Sequence, residues 1–135
     1  MTTSKKPTFL TLDEVLALHA EVVSRYGGSR GIRDLGLLES ALAVPKASFG
    51  GDYLHGSLSE MAAAYLFHVV RNHPFVDGAK RAGLAAAIAF LGLNDQWLQA
   101  DPVELGELVV AVAAGRATKA DVAVAIQGWS VAYDP

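Results

Sequence analysis

Between Ala82 and Leu93 the chain carries no charged side chain. A helix over this stretch has no polar face, so it must be enclosed by other elements. It is also too short to cross a bilayer, which takes about 20 apolar residues. The stretch therefore predicts a soluble bundle with this helix at its centre and Ala82–Leu93 as the most buried segment. The rest of the chain supplies the partners. With 135 residues, 52% of them hydrophobic and 19% charged, it suits one domain, 1–135, with a packed core.

Helix starts are written in local signals. Thr11-Leu-Asp-Glu14 is a capping box, followed at helical spacing by Leu12, Val15, Leu16, Val22, Val23 and Tyr26, and ended by Gly27-Gly28. A second helix is predicted from Asp34 to Val44, with Leu35, Leu38 and Leu42 inward and Pro45 as a stop. Lys46–Gly56 reads as a long loop or small hairpin. Ser57-Leu-Ser-Glu60 is another capping box, before a helix from Ser59 to Asn72. The fourth helix runs from Gly78 to Leu93. Asp101-Pro-Val-Glu104 opens a fifth, with an N-cap, a proline at its first position and a closing Gly115. Thr118-Lys-Ala-Asp121 opens a sixth that runs to Ala132. No segment alternates long enough to predict a strand. The expectation is an all-α, six-helix bundle around a central apolar helix.

Charge and composition narrow the function classes. A net charge of −3 argues against direct nucleic-acid binding dominated by phosphate contacts. The absence of cysteine excludes a disulfide framework and a thiolate metal site, and fits a reducing compartment. Met1–Thr8 is polar, with Lys5 and Lys6 and no apolar signal region behind them. The reading is a cytoplasmic protein without a membrane role.

Chemistry concentrates in His73-Pro-Phe-Val-Asp-Gly-Ala-Lys-Arg81. Proline pushes the residue before it toward extended backbone, so His73 should leave a helix end and enter a loop. Phe75 is the expected anchor of that loop. Asp77-Gly78-Ala79-Lys80 reads as the start of the next helix, where the first backbone N–H groups lack partners. Those groups, the helix dipole and the cations Lys80 and Arg81 make a phosphate site from Gly78, Ala79, Lys80 and Arg81. His73 at its rim is a candidate general base. Asp77 is a candidate magnesium (Mg2+) ligand, or alternatively the N-cap of the fourth helix.

The order of these residues resembles the core motif of the Fic/Doc family, H-x-F-x-D/E-G/A-N-G/K-R. The matching positions are His73, Phe75, Asp77, Gly78, Lys80 and Arg81. Lys80 in place of glycine resembles the Doc (death-on-curing) branch, as do the run Arg33-Asp34-Leu35-Gly36-Leu37-Leu38-Glu39-Ser40-Ala41-Leu42 and its distance upstream. The resemblance covers residues 9–98. It implies an α-helical phosphotransferase with ATP or another nucleotide triphosphate as co-substrate and Mg2+ as cofactor. The γ-phosphate would pass to a hydroxyl of elongation factor Tu, halting translation, in a toxin held inactive by an antitoxin. It gives catalytic roles to His73, Asp77, Lys80 and Arg81. Two positions depart from it. Ala79 stands where the family has asparagine, which keeps the backbone N–H and removes a side-chain donor. Losing one such donor costs on the order of 10²–10³ in rate. Leu84 stands where AMP-transferring Fic members carry a second arginine, which favours the kinase-like branch. The alternatives are a catalytically inactive binding partner of an antitoxin and a Fic-type AMP transferase.

Other candidates have plainer readings. His73 alone suits a helix C-terminus. His68, His73 and Asp77 suggest zinc, but their spacing is poor for one helix face. His19 and His55 read as surface or satisfied core residues, and Trp97 and Trp129 as core or interface anchors. Lys46–Gly56 reads as a flap over the site or a plain surface loop.

Overall fold

A computed structural model describes residues 6–133; the polar segment before Lys6 lies outside them. Six helices follow in order: α1 (Leu12–Tyr26), α2 (Leu35–Ala43), α3 (Leu58–Asn72), α4 (Ala79–Leu93), α5 (Pro102–Ala113) and α6 (Lys119–Trp129). Five of them start on a capping side chain at the predicted opening of the helix. Thr11, Asp34, Ser57, Asp101 and Thr118 each accept a hydrogen bond from a first-turn N–H. The cap works locally, through residues two or three apart, which is why it is readable without tertiary information. The all-α expectation holds.

The centre of the bundle is α3 rather than α4. Met61 through Leu66, Val69 and Val70 are all buried, and α3 packs against α2, α4, α5 and α6. On α4, Ala82, Gly83, Ala86, Ala87, Phe90 and Leu91 are buried, whereas Ile88 is 42% exposed and Leu93 44%. The apolar run thus has two sides. One lies on α3, and the other forms the wall of a surface groove of about 390 Å³ with Leu18, Val22 and Tyr26 of α1. Contact between α3 and α4 is close at Gly83. A Cβ there would lie 2.8 Å from Val70 Cγ2 and 3.1 Å from the Leu66 carbonyl oxygen, so only glycine lets the two backbones approach this far. Tyr65 fills the core beside Phe90, its hydroxyl accepting from the Leu10 N–H. Burial pushes that phenol up to about 12.

Some predicted inward positions face out. Tyr26 and Leu35 are exposed, while His19 and Ala41 take the buried places on α1 and α2. Four short strands appear as well. β1 (Ser48–Phe49) and β2 (Asp52–Tyr53) make the small hairpin that was one reading of Lys46–Gly56, turning at Gly50-Gly51. β3 (Gln96–Leu98) pairs antiparallel with β4 (Ser130–Ala132), so the sixth helix stops at Trp129 rather than Ala132. Strands this short carry no alternation to read. The strap they form ties the end of α6 to the turn after α4.

Candidate functional site

The motif loop is held from behind by a second loop far upstream. Ile32 pairs with Phe75 in an isolated antiparallel bridge, Val76 N–H donates to the Gly31 carbonyl (3.0 Å), and the N–H groups of Arg33 and Asp34 both donate to the Pro74 carbonyl (2.7 and 3.1 Å). The Arg33 guanidinium completes the clasp. Its Nε donates to the His73 carbonyl at 2.6 Å and its second nitrogen to the Asn72 carbonyl at 3.1 Å. A cation on the last carbonyls of α3 satisfies acceptors that the helix itself leaves open. His73 caps α3 in the left-handed region, φ 48 and ψ 53, not the extended region expected before proline. That conformation costs roughly 1–2 kcal/mol for a residue with a Cβ, and the Arg33 and Pro74 hydrogen bonds around it offset the cost.

From there the chain runs through buried Pro74 and Phe75 to exposed Val76 and Asp77. Phe75 is 3% exposed and stacks flat on the His19 ring, centroids 3.7 Å apart and planes 6° from parallel. His19 Nε2 lies 2.7 Å from the Asp77 carbonyl oxygen. A carbonyl only accepts, so Nε2 carries the proton. The Asp77 carboxylate does not cap α4. Its Oδ2 accepts from the Ser29 N–H at 2.7 Å, across a contact so close that a Cβ on Gly28 would sit 2.9 Å from Asp77 Cβ. The N-cap is Gly78, at φ 81, with no side-chain hydrogen bond, so α4 starts one residue later than predicted. Among the described residues, α4 is therefore the one helix whose first N–H groups no side chain satisfies. Its first turn also lacks an acidic residue and carries Lys80 and Arg81 instead.

These groups open on one cleft of about 840 Å³. His73, Asp77, Gly78, Ala79, Lys80 and Arg81 all line it, so the candidates of the motif reach the same space. His73, Asp77, Lys80 and Arg81 are exposed there, and Ala79 is half-buried against the core. Arg81 extends over the Tyr26 ring, 4.2 Å from its centroid. The opposite wall is α5, through Pro102, Leu105, Gly106, Val109 and Val110. The fixed donors, two cations, a carboxylate and an imidazole suit a polyphosphate at the start of α4.

The zinc reading fails. His68 meets Lys119 of α6, Nζ to Nε2 3.2 Å, and does not line the cleft, and no group of three or more ligating side chains that could hold a metal exists among the described residues. Burial, the Lys119 charge and His55 push His68 down to about 4. A single carboxylate is a different case. Ser29 supplies the one hydrogen bond that the Asp77 carboxylate receives among the described residues. Magnesium is held by one or two carboxylates together with substrate phosphates, so this donor set fits that ion.

Sequence reasoning missed His19, Ser29 and Arg33, whose partners lie 58, 48 and 40 residues away. The signal for Arg33 was its place in the upstream run; for His19 it was a polar residue on the face that also carries Val15 and Val23.

Comparisons with known proteins give the family. Residues 9–91 match the sequence model of the Fic/DOC family. Over 111 residues the chain is 35% identical to the protein kinase doc of Escherichia phage P1, covering 82% of this chain and 86% of that one. Over 76 residues it is 45% identical to toxin Doc of Mycolicibacterium smegmatis, covering 56% of this chain and 58% of that relative's length. A clasped motif loop, a helix start left open toward a cationic cleft, and these matches together make the chain a member of the Fic/DOC family, on its Doc branch.

Proposed function

We propose that this chain is a Doc-like toxin, a phosphotransferase that moves the γ-phosphate of a nucleotide triphosphate to a hydroxyl of elongation factor Tu and is restrained by an antitoxin. The observation that carries the reading is the start of α4. Five helices are closed by a side chain; this one is left open beside Lys80 and Arg81, in a cleft rimmed by His73 and Asp77. The relatives' names, a toxin and a protein kinase, point the same way.

In this reading the α4 N–H groups, Lys80 and Arg81 hold the phosphates. His73 takes the proton from the attacking hydroxyl as its oxygen bonds to the γ-phosphorus. The bond from that phosphorus to the bridging oxygen breaks, and the nucleoside diphosphate leaves. Phosphoryl transfer depends on positioning and charge stabilisation more than on covalent help, which is what fixed N–H donors and cations provide. Magnesium would be held by Asp77 and would supply charge neutralisation at the phosphates. Exposed His73 and the αL turn that presents it are placed by the Arg33 clasp, not by the cleft.

The test uses purified protein, elongation factor Tu and ATP labelled in turn at the α- and γ-phosphate. Label transferred from the γ-position supports the kinase reading. Label from the α-position replaces it with AMP transfer. No transfer from either position to elongation factor Tu or to any lysate protein, even after Ala79→Asn, replaces it with an inactive antitoxin-binding scaffold.

A further inference from the structure

We propose that His19, outside the motif, is a positioning residue that aims the Gly78 N–H into the cleft as an additional phosphate donor for magnesium ATP. The inference rests on reading the start of α4 as a phosphate site.

Among the described residues, His19 is the one buried polar side chain besides the Tyr65 phenol, 2% exposed. Its neighbours along the inward face of α1 are Val15 and Val23, and an apolar ring would stack on Phe75 equally well. Burying an imidazole N–H is unfavourable unless the group is hydrogen-bonded. Here it is, to a single acceptor, the Asp77 carbonyl oxygen at 2.7 Å.

That carbonyl belongs to the peptide unit that ends in the Gly78 nitrogen. The unit is planar and trans, as every peptide bond among the described residues is. In a trans unit the C=O and N–H point in opposite directions. Fixing the Asp77 carbonyl inward on His19 therefore turns the Gly78 N–H outward, on the side where Gly78 lines the cleft. This N–H donates to no acceptor among the described residues. The His19 ring lies directly beside Gly78: a Cβ there would be in ordinary contact with it, 3.6 Å from Nε2. One buried hydrogen bond thus adds an oriented donor to those of the first turn of α4. The stack on Phe75 keeps the imidazole from rotating away.

Two variants separate the hydrogen bond from the stack. His19→Phe keeps the ring and removes the N–H; His19→Gln keeps a side-chain N–H and removes the ring. The first readout is the ligand-free ¹⁵N–¹H spectrum, with melting curves to verify folding. The second is affinity for magnesium ATP. The expected result is that His19→Phe moves the Gly78, Ala79 and Lys80 amide resonances and weakens binding roughly tenfold, the scale of about 1.4 kcal/mol. His19→Gln should restore most of that loss. In the parent, the imidazole Nε2–H should exchange slowly with solvent, a measurement that needs no variant.

The role is overturned if those amides do not move in a folded His19→Phe protein, if that variant binds as tightly as the parent, or if the parent shows no protected imidazole N–H. A parent that binds neither magnesium ATP nor inorganic phosphate overturns the phosphate-site reading instead. The free-state amides and the Nε2–H still decide whether His19 sets the turn.

Discussion

At the scale of single residues, chemistry here depends on side chains that do not reach the cleft. Arg33 touches only backbone carbonyls, yet it holds the last turn of α3 and the left-handed His73. Arg33→Ala should lower stability by about 1–2 kcal/mol, read as a drop in the midpoint of urea unfolding, because two charge-assisted hydrogen bonds at an exposed site are lost. Ala79→Asn tests the missing donor. Residue 79 is half-buried, so an introduced amide must turn toward the cleft, where it should raise phosphoryl transfer by on the order of 10²–10³. Thermal stability should change by less than about 1 kcal/mol. Adding His73→Ala or Asp77→Ala should abolish the gain. A parent already as toxic on induction as Ala79→Asn would show that the amide is dispensable. The motif residues of the site were legible because they are contiguous from His73 to Arg81, whereas the α5 wall, brought in by tertiary packing, was not. Asp77 was legible only in part, since capping and metal binding use the same oxygens. The structure gives one of those oxygens to Ser29, a partner set by a loop crossing that no local pattern encodes.

At the scale of elements, the helix starts could be read and the burial of α4 could not. A cap is a contact between residues two or three apart, and five helices carry one at the predicted opening, whereas the further candidate, Asp77, does not cap α4. The apolar run of α4 specified a helix with no polar face, but not which side meets a neighbour. That depends on Gly83 and on how far α1 covers the other side. Two substitutions two residues apart, on opposite sides of the helix, separate the sides. Ala86→Asp places a charge at a fully buried position and should cost roughly 3–5 kcal/mol, enough to unfold the domain. Ile88→Asp, at a position 42% exposed, should cost only about 1 kcal/mol and still melt cooperatively. Equal losses at the two positions would contradict the packing. Gly83→Ala should cost about 1–3 kcal/mol by forcing α3 and α4 apart at Val70, seen as a lower melting temperature without loss of helical signal.

At the scale of the whole molecule, acid should loosen the face where α3 meets α6 first. There α3, α6 and the loop after the hairpin bring together His68, His55, Lys119 and Glu60. His68 is held down to about 4 by burial, the Lys119 charge and His55; burial and Lys119 also lower His55, against Glu60. A base whose folded value lies below its unfolded value of 6.5 binds fewer protons when folded. Stability is therefore complete above 6.5 and falls as the pH drops from there toward 4. Discounted for the partial exposure of both rings, the loss should be on the order of 1–2 kcal/mol. His68→Gln should make the melting temperature fall less between pH 7 and pH 5 than in the parent (about neutral to mildly acid, the range in which histidine titrates); an identical fall would exclude this cluster as its source. The strap at the other end of α4 has a consequence for how the molecule can be observed. Trp97 lies in β3 opposite Val131, and Trp129 is the last residue of α6, its carbonyl accepting from Gln99 N–H. Neither lines the cleft. A helix the length of α4 places them roughly 20 Å from the motif. Intrinsic tryptophan fluorescence will thus track the undocking of α6 during unfolding and stay dark to nucleotide in the cleft, so binding has to be followed through Tyr26 or an introduced probe.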